Sequence, residues 1–182
     1  MAKENMTYSH FDHRHNFAVW CAARAVQRKF TKTLCLQAAL ESCGVVELMK
    51  MKENELISQD DFDKHHERWC DSIIKSWERE RIKGGSYGRA AKLLAIYLKS
   101  MIVVQEIHSK LAEVAHPPID SRILKHISED KSIQHPNSSN WIKIKWTTLN
   151  KSGYKNLIND FRDVFAGQPF WLIEKYWTVT DD

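Results

Sequence analysis

A long apolar stretch that follows a glycine-rich turn constrains the fold of this chain more than any other feature. The turn is GGSYG at positions 84–88, and the stretch over 90–104 is interrupted only by Lys92, Lys99 and Ser100. A helix that is apolar on most of its sides is typically buried at the centre of a domain. The sequence therefore predicts that the other elements pack around this helix.

Helical periodicity is typical of most of the remaining chain. Apolar residues recur at three- and four-residue steps over 9–29, 58–77 and 152–165. The one alternation that suggests a strand is weak and lies over 141–149. We therefore predict an all-α fold, organised as a single compact helical domain over residues 1–182.

Two further expectations concern individual helices. In the first helix, Phe17 and Trp20 fall on one face and are predicted to be core residues. The central helix is predicted to run over 86–114 with a pause near Ser109. The tandem prolines at 117–118 end it, because the residue before a proline avoids helical angles.

Length and composition indicate a globular protein. At 182 residues the chain can bury a substantial core in one domain. No apolar run approaches the roughly 20 residues that span a bilayer, and the N-terminal segment lacks the apolar centre of a signal peptide. A cytoplasmic protein without membrane contact is therefore expected. The net charge of +4 and the pI near 8.8 are compatible with a polyanionic partner such as DNA.

Neither disulfides nor a metal site is predicted. The cysteines lie within helical patterns, without a CxxC pair or an export signal, so free thiols are expected. The histidines near the N-terminus and those at 65–66 form no closed ligand signature such as HExxH. The cysteines are Cys21, Cys35, Cys43 and Cys70.

Lys92 and Lys99 are seven residues apart and so share one face of the predicted helix. Apolar surroundings favour the neutral amine of a lysine over the ammonium, and the neutral amine is a nucleophile that can form a Schiff base. The alternative is a narrow stripe, shared with Arg89, Ile96 and Ser100, along which the lysines extend their charges to water. Periodicity leaves both interpretations open.

Asp120 follows the tandem prolines in HPPID and precedes an amphipathic segment. An aspartate in this position is a predicted helix N-cap, worth about 1 kcal/mol without any catalytic role. A capping carboxylate that faces a reactive amine can serve both purposes. Lys92, Lys99 and Asp120 are therefore the candidate catalytic residues.

Aromatic residues are concentrated near the C-terminus. Helical spacing makes most of them core candidates, but aromatic faces also hold bases that have left the DNA stack. Phe170 and Trp171 begin the predicted final helix and are candidates for a base pocket, together with His116. The tryptophans in the last 42 positions are Trp141, Trp146, Trp171 and Trp177.

The order of these elements resembles the helix-hairpin-helix DNA glycosylase superfamily. It is most similar to the archaeal-type 8-oxoguanine DNA glycosylases and the small proteins that share their OGG fold. The segment GGSYGRAAKLLAIYLKS looks like the hairpin-like turn and lysine-bearing helix, and HPPIDSRILKHI is similar to the Pro-x-Asp segment that opens the next helix. The resemblance covers 84–127 well and the aromatic helices of 141–182 loosely.

The resemblance implies a DNA glycosylase or glycosylase/lyase that acts on a flipped damaged or modified base, with 8-oxoguanine as a candidate. Members use the lysine as a nucleophile on the sugar C1′ and the aspartate to assist. Lys92 is favoured as the nucleophile because it is closer to the turn, with Lys99 as the second candidate. The iron–sulfur cysteines of some relatives are absent, so no cofactor is implied. The residues implied in DNA backbone binding are Lys83, Gly85, Gly88, Arg89 and Arg122.

Two alternatives to an enzyme stay open at this point. The first is a helical DNA-binding module without catalysis. The second is a protein-interaction or regulatory domain in which Lys92, Asp120 and the tryptophans are structural.

Overall fold

The computed structural model describes residues 8–27, 29–50 and 57–178. Over these ranges the chain forms helices and turns and contains no strand, which confirms the prediction of an all-α fold. The elements are, in chain order, α1 (His10–Val26), α2 (Thr33–Ser42), α3 (Val45–Lys50), α4 (Gln59–Arg79), α5 (Tyr87–Leu98), a π-helical turn (Lys99–Val103), α6 (Lys110–Val114), α7 (Ser121–Glu129), α8 (Ser138–Trp141), a 3-10 turn (Trp146–Thr148), α9 (Lys151–Val164) and a C-terminal 3-10 helix (Phe170–Tyr176).

Helix α5 lies at the centre of these elements, as the sequence predicts. It contacts α1, α2, α4, α9 and the 3-10 turn. Leu93, Leu94 and Leu98 are buried in the core around it. Burying one such side chain contributes about 1.5–3 kcal/mol. Packing of this kind, rather than intrinsic propensity, supplies most of the stability of a helix this short.

Local sequence signals determine where several helices begin and end. Ser9 caps α1 and forms a capping box with Asp12, and Ser58 caps α4. Gly44, which follows α2, has a φ of 100°, in the left-handed region that favours glycine. Pro169 directly precedes the C-terminal 3-10 helix. These boundaries lie at the positions that the sequence indicates.

The predicted helix over 86–114 is interrupted, and this part of the prediction is wrong. Helix α5 ends at Leu98, and a π-helical turn follows it to Val103. After Val103 the chain leaves the helical conformation. Ser109 then begins α6, because its side chain accepts a hydrogen bond from the N–H of Ala112. The pause expected near Ser109 is therefore a complete break between two helices.

Helix α1 presents a different face to the core from the one that the sequence predicts. Phe17 and Trp20 were expected in the core, but 59% and 55% of their surface is exposed. The residues that face the core are small, among them Ala18, Ala22 and Ala23. The reason is a close approach to α5, which α1 contacts more extensively than any other element. Alanines permit this approach and large rings do not.

The cysteines that the structure describes are free thiols, as expected. Burial raises the pKa of Cys43 to about 12 and that of Cys70 well above its usual value. Both thiols are therefore protonated at neutral pH and are poor nucleophiles. Among the described helices, none combines the length and the apolar character needed to cross a bilayer.

Candidate active site

The turn before α5 is held by a segment far away in the sequence. Gly84 has a φ of 82°, which turns the chain, and Ser86 caps α5 by accepting the N–H of Arg89. The Ser86 hydroxyl also donates to the carbonyl of Thr147 at 2.8 Å. The N–H of Gly88 donates to the carbonyl of Leu149 at 3.0 Å. The 3-10 turn is therefore fixed against the N-terminus of α5.

Gly88 is required for this contact. A Cβ atom at this position would overlap the carbonyl oxygen of Trp146, which is backbone and cannot rotate away as a side chain can. The close approach of the two backbones brings the Trp146 side chain over the first turns of α5. The glycine that the sequence associates with DNA binding is thus a packing residue, and its amide is used within the protein.

Lys92 and Asp120 meet at the middle of α5. The Nζ atom of Lys92 donates a hydrogen bond to Oδ2 of Asp120 at 3.1 Å, and the two side chains are 10% and 14% exposed. The other carboxylate oxygen, Oδ1, accepts the N–H groups of Arg122 and Ile123 and so caps α7. One oxygen caps the helix while the other faces the amine. Both interpretations of Asp120 are compatible with this geometry.

The indole of Trp146 covers the amine of Lys92. Nζ lies 4.4 Å from the centroid of the indole ring, a distance at which the ring face attracts a cation. The amine is therefore enclosed by a carboxylate on one side and an aromatic face on the other. Such a site excludes most water and strengthens electrostatic interactions inside it.

Lys99 has a different partner. It begins the π-helical turn, and its amine forms an ion pair with Glu174 of the C-terminal 3-10 helix. The indole of Trp177 lies 5.9 Å from Nζ of Lys99. Short π-helical segments are rare and are often found at functional sites. Of the two lysines that the sequence leaves as candidates, Lys92 is the one that contacts Asp120.

The two ion pairs interact with each other. Burial raises the pKa of Glu174, Lys99 opposes this rise, and the negative charge of Asp120 adds to it. The carboxylates of Asp120 and Glu174 are therefore close enough to influence each other. The site is an array of two lysines and two carboxylates flanked by Trp146 and Trp177.

The basic residues predicted to bind the DNA backbone have different surroundings. Lys83 and Gly85 are exposed. The Arg89 guanidinium donates to the carbonyl of Gly84 and lies 4.4 Å from the ring centroid of Phe30. Arg122 donates to the carbonyl of Thr178 at 2.9 Å. Lys83 is therefore the predicted side chain that the structure leaves most open to solvent.

Two of the three predicted base-pocket residues, His116 and Phe170, belong to a second polar cluster. His116 contacts Oδ1 of Asp63 through Nε2 at 3.0 Å and the Tyr154 hydroxyl through Nδ1 at 3.2 Å. Phe170 packs edge-on against the His116 ring. Trp171 is half-buried, and its indole N–H has no hydrogen-bond partner among the described residues. Both nitrogens of His116 are thus used within the protein.

Sequence reasoning missed three residues of the array, which are Trp146, Glu174 and Trp177. Glu174 is a lone acid in the otherwise apolar and aromatic segment PFWLIEKYW, and this was the signal that could have identified it. Lys143 and Lys145 were also missed. They are exposed and lie three residues and one residue before Trp146 in the sequence.

Metal coordination finds no support in the described residues. Over 8–27, 29–50 and 57–178, no group of three or more His, Cys, Asp and Glu side chains is arranged to hold an ion. The three histidines near the N-terminus and those at 65–66 lie within these ranges. His15 instead contacts the Tyr97 hydroxyl at 2.9 Å.

The Asp63–His116 cluster predicts a loss of stability in mild acid. Burial lowers the pKa of His66 and of His116, so both rings are neutral in the folded protein. Burial opposes ionisation of Asp63, but hydrogen bonds from His116 and Arg162 outweigh it and lower the pKa of Asp63. The unfolded chain therefore binds more protons than the folded chain, first below about pH 6.5 and further below about pH 4.

The free energy of unfolding should consequently fall as the pH drops, by up to about 1.4 kcal/mol per pH unit for each histidine involved. Urea denaturation at pH 7.5, 6.5, 5.5 and 4.5 measures this slope. A His66→Phe variant should have a shallower slope between pH 6.5 and 5.5. A free energy of unfolding that is constant from pH 7.5 to 5.5 would contradict the assignment of neutral buried rings.

Comparisons of the chain with protein-family models, with curated proteins and with solved structures find no match.

Proposed function

We propose that this protein is a lysine-dependent DNA glycosylase/lyase that acts on a damaged or modified base, with 8-oxoguanine as one candidate. The observation that supports this best is the hydrogen bond between Lys92 and Asp120 in a site closed by Trp146. A nucleophilic amine, a proton acceptor and an aromatic face are the components that base excision through a Schiff base requires.

In the proposed reaction, Lys92 first transfers a proton to Asp120 and becomes a neutral amine. Its nitrogen then attacks C1′ of the flipped nucleotide, and the C–N bond to the base breaks as the new bond forms. The base leaves with the electron pair of that bond and takes up the proton that Asp120 accepted, which restores the carboxylate. The nitrogen loses a proton and the ring oxygen gains one as the sugar ring opens to an imine, and β-elimination then removes a proton from C2′ and breaks the bond to the 3′ phosphate. The restored Asp120 carboxylate stabilises the positive charge of the protonated imine.

Lys99 and Glu174 have a supporting role in this proposal. Because Glu174 pairs with Lys99, the second lysine is not free to accept a proton from, or donate one to, Asp120. The pair adds no net charge beside the reacting amine. We assign Lys92 as the catalytic residue and Lys99 as a positioning residue that fixes the C-terminal 3-10 helix against α5.

The proposed path of the DNA backbone follows the exposed lysines. Lys83 lies in the turn before α5, and Lys143 and Lys145 precede Trp146. Contacts between lysines and phosphates position the duplex without reading its sequence. Binding through three such contacts should weaken steeply as the salt concentration rises.

A second candidate function is supported by α1. Phe17, Trp20 and Val104 are exposed large apolar residues. A groove of about 280 Å³ is lined in part by Phe17, Val104 and Ser100. Exposed apolar surface of this kind is typical of protein-interaction sites. A protein-interaction role is therefore the alternative if no catalysis is found.

Borohydride trapping tests the catalytic proposal. The full-length protein is incubated with duplex oligonucleotides that contain 8-oxoguanine, uracil or an abasic site, and borohydride is then added to reduce any imine. We expect a covalent adduct with at least one substrate, lost in Lys92→Gln and retained in Lys99→Gln. The Lys99 variant is a matched control because it removes an amine from the same helix face.

The outcomes are distinct. An adduct that depends on Lys99 instead of Lys92 would contradict the assignment of the nucleophile. If no adduct forms with any of these duplexes, and no base is released, the glycosylase/lyase proposal is to be abandoned in favour of the interaction role.

A further inference from the structure

We propose that the cleft between α4 and α9 binds a small, neutral, planar heteroaromatic molecule of about the size of a nucleobase. The cleft is defined here by Asp63, His66, Tyr154, Asn159 and Arg162, which lie on the two helices that form its walls. Lys92 and Asp120 are not among the residues that line it. A ligand in the cleft therefore requires no glycosylase chemistry.

The size of the cleft suits a small ligand. Its volume is about 290 Å³, which roughly ten molecules occupy in liquid water. This lies at the lower limit of known small-molecule pockets. The ion pairs Arg162–Asp63 and Lys155–Glu67 join the two helices across it. Paired side chains therefore fix the positions of the two walls.

The floor of the cleft is aromatic. The rings of His66 and Tyr154 are nearly parallel, with an interplanar angle of 8° and centroids 5.4 Å apart. Tyr87 lies 5.3 Å from Tyr154, and His116 lies 4.3 Å from His66, measured between centroids. These rings are 2–6% exposed, so a planar ligand would contact only the part of each ring that lines the cleft, and an aromatic ligand packs against such rings edge-on or offset. An aliphatic ligand would gain less from such a floor.

His66 offers unused hydrogen-bonding capacity. His66 is 2% exposed and lines the cleft. In the described part of the chain, its ring nitrogens contact the Cys70 thiol at 3.8 Å each, and a thiol is a weak partner. A neutral imidazole has one donor and one acceptor. A heteroaromatic ring, which also has donors and acceptors in its plane, complements this pair.

The charges around the cleft are already compensated. The Arg162 guanidinium makes two hydrogen bonds to the Asp63 carboxylate, at 2.7 and 2.8 Å. The Glu67 carboxylate is paired with Lys155 through one oxygen and with Lys151 through the other. An anionic ligand would have to displace one of these carboxylates. A neutral ligand binds without breaking either pair, and this favours the base or a similar ring over a nucleotide.

Titration with adenine tests the inference. Adenine is neutral and planar at pH 7.5, and benzoate serves as a planar anion for comparison. Calorimetry with the full-length protein should give saturable binding of adenine with a Kd below about 1 mM, and weaker or no binding of benzoate. Failure of adenine to saturate at millimolar concentration, or tighter binding of benzoate, would overturn the proposal.

Variants locate the binding. His66→Phe keeps a ring of similar shape and removes its nitrogens, so adenine should bind about tenfold more weakly. Asn159→Trp fills the exposed mouth of the cleft without changing a buried group, and should weaken binding at least as much. The Asn159 variant decides the question if the His66 variant does not fold.

Lys92→Gln is the control for binding of adenine at the Lys92–Asp120 site instead of the cleft. It should bind adenine with an unchanged Kd, whether or not the protein is a glycosylase. If Lys92→Gln loses adenine binding while Asn159→Trp retains it, the ligand occupies the Lys92 site and the cleft proposal is wrong. A negative trapping experiment leaves this result unaffected, so the two proposals fail independently.

Discussion

Replacement of Asp120 with asparagine is expected to slow strand cleavage at an abasic site by about 100- to 10,000-fold without unfolding the protein. The carboxamide cannot take a proton from Lys92, so the amine stays charged and cannot attack C1′. The carboxamide oxygen can still accept the N–H groups that Asp120 caps, because asparagine and aspartate are nearly equal as N-caps. Single-turnover cleavage of a duplex with one abasic site measures the effect.

Asp120→Ala is the comparison that separates catalysis from structure. It removes the cap as well as the proton acceptor, so it should lose about 1 kcal/mol more stability than Asp120→Asn. Both variants should lose cleavage to a similar extent. Cleavage by Asp120→Asn at the rate of the unmodified protein would show that the carboxylate has no part in proton transfer.

Replacement of Gly88 with alanine is expected to lower the free energy of unfolding by about 3 kcal/mol or more. The new Cβ would overlap the carbonyl oxygen of Trp146, so the 3-10 turn would have to move away from α5. That movement would break the hydrogen bonds from Ser86 and Gly88 to this segment. Urea denaturation measures the change.

Gly153→Ala is a suitable control for Gly88→Ala. Gly153 is also in a helix, but the nearest atom to its added Cβ would be the end of the Leu149 side chain, which can rotate. Alanine is favoured over glycine in helices by up to about 1 kcal/mol, so this variant should be nearly neutral. Equal stability of the two variants would show that the backbone contact at Trp146 is not required.

Local spacing was sufficient to predict part of the site. The glycine turn, the lysine-bearing helix and the Asp120 cap depend on residues close together in the sequence, and all are present. Local spacing could not decide between Lys92 and Lys99, because they share a face. Glu174, which pairs with Lys99, is remote in the sequence and comes from a different helix. The partner of each lysine is a property of the tertiary fold.

The errors have a common physical cause. Phe17 and Trp20 have the spacing of a core face, but α1 approaches α5 through alanines and leaves the rings exposed. The base-pocket role of His116 stays a prediction, and spacing did not indicate that its nitrogens contact Asp63 and Tyr154. Periodicity identifies a helix face, and only the distance between helices determines which side chains fit between them.

The enclosure of Lys92 has a consequence for chemical selectivity. An exposed amine reacts with any small aldehyde that diffuses to it, whereas the Lys92 amine is covered by the Trp146 indole and the Lys92 side chain is only 10% exposed. On the proposed mechanism, the nucleophile is latent, and a substrate reaches it only after the 3-10 turn is displaced. The apparent affinity for substrate is then reduced by the fraction of molecules that are open. Abundant cellular carbonyl compounds, which bind too weakly to shift that equilibrium, leave the lysine unmodified.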